Sequence, residues 1–338
     1  MRHNHRRFWI LLPLLLGGMV ACDDDNGTEP LPEPLDEAEV LVTYLEATRG
    51  YDVQGGFVIK STDVHTNVLT EADQYVIDIR AATDYNAGHI EGAVNVAFDE
   101  LDAHLASMSP APSTYDVIVI ACYSGQTAAY ATGILRAMGY ENVKSMKWGM
   151  SSWHADFSGS WVNNRSNARA TEFETGASPA KLAEGELPTL NTGFEDGPSI
   201  LAARAAAVLD AGFGPAKLTN ADLFQDLDGH YIMNFWPASL YENTGHVPGA
   251  ILYDPSTTPW LTTTYLKTLP TDEPVVTYCY TGQTSAYITG YLRVLGYDAK
   301  TLLFGANGMI WDKMVADGVA NAFDPATEVH DYAYATAN

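Results

Sequence analysis

Basic residues are scarce in this chain. Its 338 residues include 18 Lys and Arg against 42 Asp and Glu, which gives a formal net charge of −24. A surface of this sign repels nucleic acid and offers no polybasic patch to anionic lipids. The sequence therefore argues against nucleic-acid partners, and any anionic ligand has to be held by local groups such as loop amides.

Cysteine is also scarce, with three residues, Cys22, Cys122 and Cys279. No Cys-x-x-Cys-His motif is present for haem attachment, and no Cys/His cluster has the spacing of metal ligands. We therefore expect neither a metal nor a cofactor. Unpaired cysteines are unusual in exported proteins, because oxidising compartments favour disulfides. The two later thiols either bridge or are kept for chemistry.

A single apolar run near the start, residues 8–20, follows a basic segment. The run is too short and too early for a comfortable transmembrane span and is typical of an export signal. It ends in Met-Val-Ala-Cys, which resembles a bacterial lipobox, so we predict a signal peptide over residues 1–21 and lipidation of Cys22. Residues 22–37 are acidic and Pro-rich and are predicted to form an extended tether.

These features predict an exported protein that is lipid-anchored to a bacterial membrane, either on the periplasmic face or in the outer membrane. The alternative is an ordinary secretory signal that is cut elsewhere, in which case Cys22 is incidental.

A six-residue loop occurs twice. Each copy follows a β-branched apolar run and opens into a helix-like stretch that ends in Gly-Tyr. The first loop comprises Cys122, Tyr123, Ser124, Gly125, Gln126 and Thr127, and the second loop comprises Cys279, Tyr280, Thr281, Gly282, Gln283 and Thr284. Loop amides and a helix N-terminus favour negative charge, so a cysteine placed there is a thiolate site and is expected to have a depressed pKa.

Small residues shape both loops. Gly125 and Gly282 let the backbone approach the sulfur closely. Thr127 and Thr284 can bond back to the loop carbonyls and fix the loop shape.

The repeat extends well beyond the loops. The strand-like segments 74–80 and 230–236 and the Gly-His motifs at His89 and His246 precede the two loops in the same order. An offset of about 157 residues superposes the two sets. Periods this long indicate duplicated domains. Alternating strands and helices predict an α/β fold with a mostly parallel sheet in each half.

The ordered set of motifs resembles the rhodanese sulfurtransferases. The resemblance is carried by strand-Asp-x-Arg, Gly-His-Ile-x-Gly-Ala, Cys-x-x-Gly-x-Thr and a Trp-Gly closure, and it covers about residues 55–155 and 215–315. It implies two tandem rhodanese-like domains, each with a mostly parallel central sheet flanked by helices. It also implies an enzyme whose thiolate takes sulfane sulfur from a small donor, as a persulfide, and passes it to a thiol or other nucleophilic acceptor.

With the repeat and the resemblance combined, we place domain one at residues 38–160 and domain two at residues 188–330. Residues 161–187 form a connector that is expected to wrap the surface. An amphipathic helix is predicted over residues 36–48, from its apolar periodicity. A further helix is predicted over residues 199–210, leading into domain two.

The resemblance also suggests roles for a charged pair. Asp78 and Arg80 lie two apart on a strand, so both project from one face. They are expected to buttress the first loop, with Arg80 near its mouth; a surface salt bridge is the alternative for Arg80. Domain two has Asn234 and Trp236 at these positions.

This difference makes Cys122 the better candidate for the catalytic thiol. Cys279 is then a second site, a relay or a relic. Both loops also lack a basic residue after the cysteine. A neutral mouth in an acidic protein argues against thiosulfate as the best donor.

The remaining conspicuous residues are predicted to be mostly structural. His89 and His246 are expected to hold loops. Tyr123 and Tyr280 either line a pocket or pack against the neighbouring domain. The tryptophans are expected in the core or at the domain interface; they are Trp148, Trp153 and Trp311.

Three functions therefore compete. The first is a cell-envelope sulfurtransferase that uses a Cys122 persulfide. The second is a lipoprotein that handles selenite, tellurite or redox equivalents alongside envelope redox proteins. The third is a non-catalytic binding lipoprotein.

Overall fold

The computed structural model describes residues 35–48, 56–257 and 263–337. The described residues from Asp36 onward form one compact unit. The predicted signal peptide, Cys22 and the tether as far as residue 34 lie outside the described residues. Within the described part, no helix has the length and apolar character needed to cross a membrane.

The first half of the chain forms a five-stranded sheet flanked by helices. Its elements are α1 (Glu37–Thr48), β1 (Val58–Ile59), α2 (Ser61–Leu69), β2 (Gln74–Asp78), α3 (Ala82–Ala87), β3 (Val94–Asn95), α4 (Leu101–Ser107), β4 (Val117–Ala121), α5 (Gln126–Met138), β5 (Val143–Met146) and α6 (Gly159–Val162). The strand order is β1-β5-β4-β2-β3, and every pair is parallel. All five residues of the central strand β4 are buried, because a parallel strand is covered on both faces.

The second half repeats this arrangement. Its elements are α7 (Gly197–Ala211), β6 (Lys217–Leu218), α8 (Asn220–Leu223), β7 (Tyr231–Asn234), α9 (Ala238–Asn243), β8 (Ile251–Leu252), α10 (Thr263–Leu266), β9 (Val275–Tyr278), α11 (Gln283–Val294), β10 (Ala299–Leu302), α12 (Trp311–Ala316) and α13 (Pro325–Glu328). The strand order is β6-β10-β9-β7-β8, again all parallel. The predicted α/β class with two parallel sheets is confirmed.

The two halves meet along α5 and α11, the helices that follow the two loops. Tyr130 and Ile134 of α5 share one apolar core with Tyr287 and Tyr291 of α11. Both helices have small residues at the crossing, which allows their backbones to approach closely. The loops at the N-termini of these helices are therefore brought to the same interface.

The two helices predicted over residues 36–48 and 199–210 are present as α1 and α7, and they pack on each other. Leu41, Val42 and Leu45 of α1 are buried in the same core as Ile200 and Leu201 of α7. The sequence placed α1 at the start of domain one. Its partner, however, is the helix that opens the second half.

The segments that follow each half cross to the opposite half. After domain one, the connector pairs with domain two through a bridge between Glu174 and His246. After domain two, the C-terminal arm (residues 329–337) returns to domain one, where Ala335 bridges to His89 and the His330 N–H donates to the Ser152 carbonyl at 3.0 Å. Each Gly-His motif is therefore covered by the segment that follows the last strand of the opposite half.

Candidate active site

The first loop begins where β4 ends, and its last residues form the first turn of α5. The segment after β5 supports it from behind. The Met150 N–H donates to the Cys122 carbonyl at 2.8 Å, and the Ser151 N–H and hydroxyl both donate to the Tyr123 carbonyl, at 3.1 and 2.9 Å. A Cβ on Gly149 would stand 2.5 Å from the Cys122 carbonyl oxygen. A side chain at this position would therefore displace the loop.

The Cys122 sulfur lies inside the cradle that these contacts build. The N–H groups of Gly125 and Ala128 point at Sγ, at 3.1 and 3.3 Å. The residue is 2% exposed. Burial raises the pKa of the Cys122 thiol above its ordinary value, although the amides of Ala128, Ser124 and Gly125 oppose this. The expectation of a depressed pKa is therefore wrong for Cys122, because desolvation of the thiolate outweighs the amide cradle.

The second loop surrounds its sulfur with a different set of polar groups. The N–H of Ser285 lies 3.4 Å from Cys279 Sγ, and the hydroxyls of Ser285 and Thr281 lie 3.6 and 3.8 Å from it. The Ser285 hydroxyl is in turn 2.7 Å from that of Thr301. In the first loop, Ala128 occupies the position of Ser285. The second thiol thus has hydroxyl neighbours that the first one lacks.

Both thiols are free and buried. They lie at the ends of separate strands in separate sheets, as their separation by one repeat predicts. Within the described residues, no group of three or more His, Cys, Asp or Glu side chains is arranged to hold a metal ion.

The predicted pair Asp78 and Arg80 is formed, and it is buried rather than on the surface. Arg80 Nε and Nη2 donate to the Asp78 carboxylate at 2.7 to 3.1 Å, and Nη2 also donates to the Gly88 carbonyl at 2.6 Å. The guanidinium carbon lies 5.9 Å from the ring centre of Tyr123 and 5.4 Å from that of Phe157. Arg80 therefore lies near the mouth of the first loop, with its charge matched by Asp78.

Domain two replaces this ion pair with neutral groups. Asn234 ends β7, and the Trp236 ring lies 5.2 Å from the ring centre of Tyr280 in the second loop. The Trp236 indole N–H is buried with no hydrogen-bond partner in the described structure. Tyr280 therefore packs against an aromatic neighbour within its own domain, and Tyr123 lies instead beside a cation.

A cavity of about 480 Å³ opens beside Tyr123. Its walls include Arg80, Phe157 and the carboxylates of Asp84 and Asp156. The Tyr123 hydroxyl donates to Asp84. The Tyr334 hydroxyl, from the C-terminal arm, donates to Asp156 at 2.8 Å. The mouth of the first loop is therefore aromatic and acidic.

Sequence reasoning missed several of these residues. Asp84 lies five residues before His89 of the first Gly-His motif, and Ser285 immediately follows the second loop. Nothing in the local sequence could have placed Tyr334, because it reaches the cavity only through the return of the arm across the domains.

Other predicted contacts differ from the structure. Among the described residues, no hydrogen bond joins the hydroxyl of Thr127 or Thr284 to a loop carbonyl. The segments after β5 and β10 bond to the loops instead. The histidines behave as expected. His89 Nδ1 bonds to the Tyr85 carbonyl at 2.9 Å, and His246 Nδ1 bonds to that of Tyr241 at 3.0 Å. Each ring also stacks on its tyrosine, which fixes the Gly-His loop.

Two segments of the chain, residues 62–156 and 221–309, match the rhodanese-like domain family. The chain belongs to the rhodanese-like family. The first matched segment contains the first loop, and the second contains the second loop. The predicted tandem of rhodanese-like domains is therefore confirmed, and both rhodanese-like domains retain a cysteine at the end of the central strand.

Curated relatives match one rhodanese-like domain each. Thiosulfate sulfurtransferase GlpE of Pseudoalteromonas translucida is 32% identical over 91 residues, which is 27% of this chain and 83% of that protein. Thiosulfate sulfurtransferase PspE of Escherichia coli is 30% identical over 74 residues, which is 22% of this chain and 69% of that protein. These matches support a sulfurtransferase activity for the chain.

Solved structures were matched over longer stretches. A thiosulfate sulfurtransferase from Pseudomonas aeruginosa has 18% identity and a TM-score of 0.29, and the match covers 89% of this chain and 49% of that chain. The 3-mercaptopyruvate sulfotransferase SseA of Escherichia coli has 15% identity and a TM-score of 0.28, with 75% and 98% covered. Both superpositions are loose, and the family assignment rests on the sequence match.

Proposed function

We propose that this protein is a cell-envelope sulfurtransferase that moves sulfane sulfur through a persulfide on Cys122. The observation that carries the proposal is the position of Cys122 Sγ, at the end of a central strand and facing the N–H groups of Gly125 and Ala128. Amides in this arrangement stabilise charge on sulfur as it develops.

The proposed reaction has two displacements. The Cys122 thiolate attacks the sulfane sulfur of the donor, a new S–S bond forms, and the old bond to that sulfur breaks with its electron pair leaving on the donor fragment. A thiol or other nucleophilic acceptor, as its conjugate base, then attacks the outer sulfur of the persulfide. The Cys122 thiolate leaves and is ready for the next cycle.

The cavity beside Tyr123 suggests which donors fit. Asp84 and Asp156 border it, and the charge of Arg80 is already matched by Asp78. Negative charge at a mouth repels anions of the thiosulfate kind. The curated relatives are named for thiosulfate, but the preferred donor here is a small compound of low negative charge.

The second loop is proposed to play a secondary part. Cys279 keeps its strand-end position, but the described structure places one N–H on its sulfur, at 3.4 Å, where two N–H groups face Cys122 Sγ, at 3.1 and 3.3 Å. Sulfur uptake at Cys279 is therefore expected to be slower than at Cys122.

Mass spectrometry after incubation with sulfane donors tests the proposal. The wild type should gain about one sulfur, and the gain should disappear on treatment with a thiol reductant. Cys122→Ser should abolish most of the uptake, and the matched variant Cys279→Ser should leave a substantial part of it. If uptake survives the loss of Cys122 and disappears with Cys279, the assignment moves to domain two.

The location is proposed from the sequence. Cys22 after an apolar run, followed by an acidic Pro-rich stretch, supports a lipid anchor. Cys22→Ser should release the protein from membranes or leave the precursor uncut. Labelled fatty acid that never enters the wild-type protein would contradict the anchor, without affecting the assignment of Cys122.

A further inference from the structure

The side chain of Gln283 belongs to the second loop by sequence, but its contacts are with the first. Its Nε2 lies 3.3 Å from the carbonyl oxygens of both Gly125 and Met146, and its Oε1 accepts from the Trp148 N–H at 2.9 Å. Gln283 is 2% exposed. One buried amide thus bonds to three backbone groups of the other domain.

Gln126 of the first loop makes one of the equivalent contacts with the other domain. Its Oε1 accepts from the Phe304 N–H at 2.7 Å. Its Nε2 donates to Ser124 within its own loop at 3.0 Å. In both cases the oxygen faces a backbone N–H, which fixes the orientation of the amide. The exchange is therefore reciprocal and unequal. Three bonds join Gln283 to the first loop and the segment behind it, and one bond joins Gln126 to the segment behind the second loop.

The contacts of Gln283 reach the peptides that surround Cys122. The Gly125 N–H points at Cys122 Sγ, and the carbonyl of the same residue faces Gln283. A Cβ on Gly125 would stand 2.3 Å from Gln283 Nε2. Any residue larger than glycine at position 125 would therefore displace the Gln283 amide.

The second side of the cradle is held in the same way. Trp148 is in the left-handed region with a φ of 63°, a conformation that costs a non-glycine residue free energy. Gln283 bonds to its N–H. The two residues after Trp148 lie against the Cys122 carbonyl, one through its Cα and the other through its N–H. Gln283 thus contacts the chain on both sides of the reactive cysteine.

We propose that Gln283 is a positioning residue for Cys122, acting from the neighbouring domain, and that Gln126 does the same for Cys279 to a smaller degree. Each rhodanese-like domain is then incomplete without the other, and domain one depends more on its partner. The inference deepens the proposed function, but it concerns the reactivity of each thiol and can be tested without sulfur transfer.

Single-thiol variants separate the two sites. In Cys279→Ser protein, Gln283→Ala should slow alkylation of Cys122 about tenfold, because a buried N–H and carbonyl lose their partner and the amides around sulfur lose their alignment. In Cys122→Ser protein, the same substitution should change alkylation of Cys279 by less than about twofold, since the hydrogen bonds of the Gln283 side chain in the described structure go to the other domain. The mirrored Gln126→Ala should affect Cys279, by a smaller factor.

Isosteric variants distinguish positioning from packing. A carboxylate at 283 still accepts from Trp148 but turns a lone pair toward the carbonyls of Gly125 and Met146. A carboxylate at 126 accepts from both Phe304 and the Ser124 hydroxyl. Gln283→Glu should therefore slow Cys122 at least about fivefold more than Gln126→Glu slows Cys279, although both add one charge at mirrored sites. The pH profile of Cys122 alkylation should shift more in Gln283→Ala than in Gln126→Ala, neither of which adds a charge.

Urea unfolding of every variant shows whether the fold is retained. Equal effects of Gln283→Glu on Cys122 and of Gln126→Glu on Cys279 would overturn the proposal. So would alanine variants in which each glutamine affects the thiol of its own loop more than the thiol of the other loop. If each glutamine affects mainly the thiol of the other domain but no persulfide forms, the positioning role stands and the proposed sulfurtransferase activity is contradicted. If a persulfide forms but the glutamines do not act on the thiol of the other domain, the positioning role is contradicted and the proposed sulfurtransferase activity stands.

Discussion

The backbone of Gly133 on α5 lies directly against the carbonyl of Tyr287 on α11. A Cβ at Gly133 would stand 2.2 Å from that oxygen, and one at Gly290 would stand 2.6 Å from the carbonyl of Tyr130. Both obstacles are backbone, which cannot rotate away. The two glycines therefore set the distance between the helices, and with it the distance between the two loops.

Gly133→Ala should lower the free energy of unfolding by about 2 to 3 kcal/mol, as expected of overpacking against rigid atoms. Gly214→Ala is the matched control, because nothing lies within 4 Å of its Cβ position and its φ is not left-handed; it should change stability by less than about 1 kcal/mol. Urea unfolding of both variants measures the difference, and equal losses would show that the helix crossing is not the limiting contact.

The buried pair of Asp78 and Arg80 predicts a non-additive result. Arg80→Ala leaves a carboxylate buried without its cation and should cost about 3 to 5 kcal/mol. The double variant Asp78→Asn, Arg80→Ala removes both charges and should be more stable than Arg80→Ala alone, since domain two carries Asn at the same strand position. If the double variant is less stable than Arg80→Ala, the stability lost in Arg80→Ala does not come from an uncompensated carboxylate.

The buried thiol predicts a pH dependence. The folded protein holds the pKa of Cys122 above its ordinary value, so protonation of this thiol favours the fold. Its contribution to stability is fully present below the ordinary thiol pKa and is lost as pH rises through the folded pKa. Alkylation of Cys122 in Cys279→Ser protein should rise about tenfold per pH unit through the neutral range, with no plateau below about pH 8.5. A plateau near pH 7 would mean that the amide cradle outweighs burial.

The C-terminal arm predicts a local effect at a distance in sequence. A chain that ends at Val329 loses the bridge from Ala335 to His89 and the bond from the Trp153 indole to the Ala333 carbonyl, at 2.9 Å. Amide hydrogen exchange should accelerate in residues 85–92 of domain one, whereas the central strand β9 of domain two keeps its protection. Uniform acceleration of both would indicate a general loss of stability rather than an uncovered motif.

Much of this organisation could be predicted from local sequence. The repeat, the parallel sheets, the strand-end cysteines and the substitution of Asn234 and Trp236 for the charged pair all follow from patterns within about ten residues. Helix and strand periodicity decide which face of an element is apolar, so α1 was predictable as an amphipathic helix.

The sequence alone thus determined two strand-loop-helix units with a cysteine in each, because these patterns are local. Only the tertiary structure decided what covers each unit: α1 packs on α7, the arm returns Tyr334 to the first cavity, and Gln283 reaches across to the first loop. A periodic pattern defines an apolar or polar face but not its partner. The raised pKa of Cys122 also depends on the tertiary structure, since the desolvation that causes it comes from burial in a core that joins β2, α4, β4 and α5.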